Sequence, residues 1–295
     1  MSKTNLYLLL LVAWILMGIY LWNKYLCGCW TDNQATTSPN LLTNTWTIKD
    51  STLYSASANE HFRFLRSHPE HLYPSRGLPE AMGEVAKYLG NHQDRMLIIK
   101  GFYDKNEENT SVLPNLGLGR ANEVKTYLNS LGVASNHLSI EGVLLNEKQG
   151  WFRNDTLYKG IEFQFAHLSS ANNRLETIKN RLLGKPITLY FGLNEKAITL
   201  SDEQRNDFAD LIFYLDNTTD SYLEVGGHTD NLGKKGVNQY LSLERAKFVK
   251  DYLTTNGNIN ATKINTHGYG DAKPIVTNTS KENKAFNRRV EVILF

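Results

Sequence analysis

The sequence predicts an α+β protein: an N-terminal transmembrane helix, then two β/α layer domains of βαβαβ type with helices packed on a mixed sheet. Three observations carry this reading. Residues 6–22, "LYLLLLVAWILMGIYLW", form an uncharged apolar run. Beyond it, short strand-like runs alternate with stretches of helical apolar spacing. The order of those runs occurs twice, each time with an Asp and an Arg at nearly the same separation.

The apolar run is just long enough to span a bilayer, and Trp14, Tyr20 and Trp22 supply the aromatic flank of a membrane interface. In lipid it must be a helix, because only a helix satisfies its own backbone there. Its length and the lack of an A-x-A-like exit argue against a cleaved signal peptide. No Asp or Glu interrupts it, so residues 1–30 read as an anchor and not as an ion pathway. Lys3 and Lys24 flank the run on opposite sides and leave its orientation open. Cys27 and Cys29 are the only cysteines, and a C-x-C ring would be strained. "LCGC" partly resembles a lipobox before Cys29, but Asn23–Lys24 break the apolar run ahead of it.

Residues 31–45 are polar, small and unpatterned, which is linker chemistry. Globular stretches are expected over 46–166 and 186–295, joined by a linker helix within 167–185. Of the 295 residues 41% are hydrophobic and 21% charged, which suits folded cores. The net charge of +2, with no basic run, gives no reason to expect nucleic acid.

In the C-terminal stretch "PITLYFGL" alternates as a strand. Ser201 is placed to cap a following helix whose Phe208, Leu211, Ile212 and Leu215 make one apolar stripe. "SYLEVGGHTD" runs from strand into turn. "SLERAKFVKDYLTTNG" is expected as a helix with Leu243, Ala246, Val249 and Leu253 inward and Gly257 just past its end. "KINTHGYG" is a short strand, and "NRRVEVILF" closes the chain with Val290, Val292 and Leu294 on one face.

The N-terminal stretch repeats this order in "LIIKGFYDKNEEN", "LGLGRANEVKTYLNSLG", "HLSIEG" and "GIEFQF". Asp104 aligns with Asp230 and Arg120 with Arg245, the Asp-to-Arg separation being 16 residues (120 − 104) and 15 (245 − 230). The first copy departs elsewhere. "GFYD" stands for "GHTD", Leu113 falls near the place of Asn238, and Gly160 takes that of Arg289.

The turn "EVGGHTDNLGKKG" suits a metal site, an acid/base pair or a recognition loop. His228 has no second His or Cys at ligand spacing, so no metal is expected. No Ser-His-Asp order, paired acids or nucleophile elbow points to an enzyme, and no cofactor is implied. Asp230 with Arg245 would either grip a ligand or form an ordinary ion pair that fixes the turn. A ligand with an ammonium and a carboxylate on one carbon would need such an acceptor-only anion beside a fork-shaped cation.

The motifs G-H-T-D-N, N-x-x-L-S-x-x-R-A, G-Y-G-x-x-x-P and N-R-R-V, in that order over 186–295, resemble the OmpA C-terminal-like (OmpA/MotB) domain family, whose members bind peptidoglycan. The resemblance implies that Asp230 and Arg245 grip the diaminopimelate of the stem peptide, with Asn194, Thr229, Asn238 and the strand of Arg289 nearby. Asp104 and Arg120 would be a residual pair in a degenerate first copy. Taken with the uncharged run at residues 6–22, it points to a non-enzymatic protein of the bacterial inner membrane, single-pass with its bulk in the periplasm, an outer-membrane lipoprotein being the weaker reading. Peptidoglycan and membrane are the expected partners. A structural role in an envelope complex, with the first domain docking proteins, is the alternative, and homo-oligomerisation stays open.

Overall fold

The computed structural model describes Met17 and residues 45–295, apart from 52, 73–76, 147–150, 169–171 and 193–197. The span expected over 1–30 and the linker over 31–45 lie outside the described residues, Met17 and Thr45 excepted, and so does Asn194. Among the described residues no helix is long and apolar enough to cross a membrane. The chain from Asn44 to Phe295 forms one compact unit of mixed α+β structure.

That unit opens with an antiparallel hairpin of β1 (Trp46–Asp50) and β2 (Tyr54–Ala58). Alternation turns Trp46, Ile48 and Asp50 inward. The buried Asp50 carboxylate is satisfied by Arg95 at 2.5 Å and the Tyr88 hydroxyl at 2.8 Å. Strands β3 (Arg63–Leu65) and β4 (His71–Leu72) precede helix α1 (Gly77–Asn91). Then come β5 (Arg95–Tyr103), α2 (Leu116–Ser130) and β6 (Leu138–Leu144), a βαβ unit whose two strands pair in parallel. Asn115 caps α2 by accepting from the Leu118 N–H at 2.8 Å. Short strands β7 (Phe152–Arg153) and β8 (Thr156–Leu157) join the β3–β4 sheet, and β9 (Ile161–His167) pairs antiparallel to β5.

Helix α3 (Asn172–Leu182) occupies the segment read as a linker helix, and its Ile178 and Leu182 are buried in the C-terminal core. Next come β10 (Pro186–Tyr190) and α4 (Asp202–Asp216). Ser201 caps α4 within a capping box closed by Gln204, and the stripe Phe208, Leu211, Ile212, Leu215 is buried. Then follow β11 (Leu223–Gly227), α5 (Lys235–Gly257), β12 (Ile264–Gly268), α6 (Lys281–Asn287) and β13 (Arg289–Leu294). The sheet order β10-β13-β11-β12 inserts the last strand between the first and second, with β11 and β12 parallel.

Helix α5 starts seven residues before Ser242, where the sequence pattern placed its start, and Gly257 is its last residue instead of lying past its end. Asn258 takes the left-handed turn at φ 53°, which Asn tolerates. Gly257 answers to packing: a Cβ there would press on Val112. Val112 and Leu113, from the loop after β5, are buried in the C-terminal core. Polar contacts reinforce this join. Lys125 Nζ reaches Asp216 at 2.8 Å, Asn122 donates to the Gly257 carbonyl at 3.1 Å, and Arg205 donates to the carbonyls of Ser111, Leu113 and Asn109.

Candidate functional site

The site forms where β11 ends and α5 crosses it. A Cβ at Gly227 would collide with the Ser242 carbonyl oxygen, so glycine is what lets helix and strand approach this closely. The turn beyond is pinned from three sides. His228 N–H donates to the Arg289 carbonyl at 2.9 Å, Thr229 N–H to the Gly270 carbonyl at 2.8 Å, and Gly270 N–H to the Ser242 hydroxyl at 2.9 Å. His228, Thr229 and Asp230 are all buried as a result.

Asp230 accepts the Leu232 N–H on Oδ1 at 3.1 Å, an Asx turn, and Arg288 Nη1 on Oδ2 at 2.9 Å. Its backbone carbonyl accepts Asn238 Nδ2 at 3.3 Å, which ties the turn to the first coil of α5. Arg245 is 7% exposed; it donates Nη1 to the His228 carbonyl at 3.4 Å and lies 5.6 Å over the Phe191 ring. Burial pulls its pKa below the usual guanidinium value; the like charge of Arg288 pulls the same way and the Asp230 carboxylate opposes both.

Asp230 is thus ion-paired to Arg288, and not to the neighbouring Arg289 whose strand the family resemblance implies beside the ligand. Arg289 is committed elsewhere: Nε donates to Glu291 at 2.7 Å and Nη2 to the Lys273 carbonyl at 3.2 Å. The doubled Arg of "NRRV" was the available signal, but strand alternation alone does not say which of two neighbours faces the turn. Thr229 Oγ1 and Arg288 Nε are buried with no hydrogen-bond partner among the described residues. His228 stacks on Tyr269 with ring centroids 5.2 Å apart and sits 3.5 Å from Glu291.

The N-terminal half does not bring Asp104 and Arg120 together as a pair. Asp104 turns to Asn106, accepting its backbone N–H at 2.8 Å and its amide at 2.9 Å. Arg120 instead holds Glu107, at 2.5 Å and 3.1 Å. Glu107 carried no sequence signal, being one acid among several in "DKNEEN".

Residues 190–288 match the OmpA family. The peptidoglycan-binding protein ArfA of Mycobacterium tuberculosis H37Rv is 37% identical over 121 residues, covering 41% of this chain and 35% of that protein. YfiB of Escherichia coli K12 is 32% identical over 112 residues, covering 38% of this chain and 69% of YfiB. Among solved structures, the C-terminal domain of Helicobacter pylori MotB is 25% identical and covers 38% of this chain and 84% of that one, with a TM-score of 0.31. The chain spans about a third of the length of the first curated relatives it matches.

Proposed function

The chain belongs to the OmpA family through its C-terminal half, and on that premise we propose that it is a non-enzymatic cell-envelope protein that holds peptidoglycan non-covalently through Asp230 and Arg245. The observation that carries this is the convergence of one carboxylate and two guanidinium groups, Asp230, Arg245 and Arg288, on one buried turn. Among the described residues Arg245 spends a single hydrogen bond on the protein, whereas a guanidinium has five N–H donors. Thr229 Oγ1 and Arg288 Nε are further polar atoms whose burial calls for a partner. A ligand with an ammonium and a carboxylate on one carbon, as in diaminopimelate, would set its ammonium against Asp230 and its carboxylate against Arg245. Each charge-assisted contact contributes roughly 1.5–3 kcal/mol. Asn238 acts through the turn, and Arg289 orders the strand behind it.

Anchoring in the inner membrane by one helix within residues 1–30 rests on the uncharged run alone. It would turn a weak single-site grip into firm retention, because the wall presents many stem peptides near the tether. The test is retention of the full chain on purified diaminopimelate-type sacculi. Loss of retention in the Asp230→Ala/Arg245→Ala variant is expected; wild-type-like retention in that variant would sink the reading.

A second reading, a structural subunit of an envelope machine whose N-terminal half docks partner proteins, is favoured by one observation. Arg120 is wholly enclosed and bonded to its own chain, which leaves that half unsuited to a second grip on the wall. Co-purification from detergent tests it: a stoichiometric partner still retained after deletion of residues 46–166 would count against it.

A further inference from the structure

The two halves share one local hydrogen-bond scheme. Phe102 N–H donates to the Gly160 carbonyl at 2.9 Å, as His228 N–H does to the Arg289 carbonyl at 2.9 Å. A Cβ at Gly101 would collide with the Gly117 carbonyl oxygen, as one at Gly227 would with that of Ser242. Gly101 pairs in parallel with Gly142, and Gly227 with Gly268. Arg120 follows Gly117 by three residues and Arg245 follows Ser242 by three. Each donates Nη1 to the carbonyl just past its glycine, Phe102 at 2.7 Å and His228 at 3.4 Å.

The correspondence stops at the remaining donors. Arg120 spends all five: Nε on the His68 carbonyl at 3.2 Å, Nη1 on Phe102 O and Glu107 Oε2, and Nη2 on the Leu65 carbonyl at 3.2 Å and Glu107 Oε1. Both side chains of the Arg120–Glu107 pair are 0% exposed. The Glu107 carboxylate also accepts two backbone N–H groups, from Ser67 at 3.0 Å and Asp104 at 2.8 Å. It therefore receives four hydrogen bonds in a closed cradle, which is a built carboxylate-binding site. Three residues past the aligned aspartate, where the N-terminal half has Glu107, the C-terminal half has Gly233 at φ 99° and no side chain to offer.

We propose that the N-terminal half is a carboxylate-binding site permanently filled by this chain's own Glu107. That side chain stands on Arg120 where a foreign carboxylate stands on Arg245. The comparison with Arg245 rests on the wall-binding reading; the cradle around Glu107 does not. Two consequences follow for the molecule. The N-terminal half is closed to wall peptide, by the carboxylate itself and by the Leu65 and His68 carbonyls that take the remaining Arg120 donors. The cradle also admits a small free carboxylate once the Glu107 side chain is cut back.

The experiment is thermal unfolding of the full chain in detergent, in sodium acetate and in sodium chloride at equal ionic strength. In chloride, Glu107→Ala is expected to lower Tm by roughly 10 °C, since it leaves a buried guanidinium unpaired. Acetate is expected to restore much of that loss in a saturable manner, while shifting the wild type no more than chloride does. Glu107→Gln, whose amide still fills the space, is expected to show no such rescue. If Glu107→Ala does not fold in chloride, its refolding yield reads the same effect, and folding in acetate supports the site. An equal acetate response in variant and wild type, or no recovery in acetate, overturns the proposal. The readout uses no cell wall, so failed sacculus binding would leave it standing, and failed rescue would leave the wall-binding reading standing.

Discussion

Arg288 Nη1 lies 2.9 Å from Asp230 Oδ2, with the two side chains only 15% and 8% exposed. The residue just before β13 thus holds the carboxylate in the turn after β11, across 58 residues of sequence. The pair is sheltered enough to matter. Replacing Arg288 by Ala removes the charged partner of Asp230 and is expected to cost roughly 1.5–3 kcal/mol. Urea unfolding checks this, and an unmoved midpoint would show that solvent replaces Arg288 without loss.

The contact of α5 with β11 depends on a missing side chain. Gly227→Ala drives a methyl into the Ser242 carbonyl and must push the helix off the sheet. A loss of about 1–3 kcal/mol is expected, as for an overpacked core, together with loss of the site geometry. Gly83→Ala is the control. Gly83 lies in α1 with nothing within 4 Å of the added Cβ, so the change is expected to stabilise by about 0.5–1 kcal/mol. Chemical denaturation of the two variants should therefore move in opposite directions.

Glu291 carries a pH dependence. His228 beside it, then the hydrogen bond from Arg289, hold its carboxyl down to about 2 from an ordinary 4.5, against the opposing effect of burial. The folded value lies below the unfolded one, so the stabilisation is complete above about pH 4.5 and is lost as pH falls through 2. Wild-type Tm is expected to fall across that window, and Glu291→Gln should show a flatter slope there. Equal slopes by circular dichroism would remove Glu291 as the cause.

The join between the halves also makes a measurable demand. Lys125, whose side chain is 4% exposed, pairs with Asp216, and Arg205 is spent on three carbonyls of the loop after β5. The wild type is expected to unfold from residue 44 onward in one calorimetric transition. Lys125→Ala/Arg205→Ala is expected to lower the midpoint and separate two transitions. A single sharp transition in that variant would assign the coupling to the contacts left in place, the burial of Val112 and Leu113 in the C-terminal core and the bond from Asn122 to the Gly257 carbonyl.

Sequence by itself determined several local elements of the C-terminal half, though neither the start of α5 nor the short helix α6. Ser201 and Gln204 announce the cap of α4, the spacing of Phe208 to Leu215 announces its buried stripe, and Val290, Val292 and Leu294 announce the inner face of β13. These are period and capping signals, written within one or two turns of chain. Sequence also determined the family, through motifs whose order survives in a linear string. Only the tertiary structure decided who pairs with whom. Arg120 took Glu107 and not Asp104, Asp230 took Arg288 with Arg289 turned away, and β13 slid between β10 and β11. An ion pair depends on which of several similar charges the fold brings within about 3 Å in a dry place, and sequence separation carries no record of that distance.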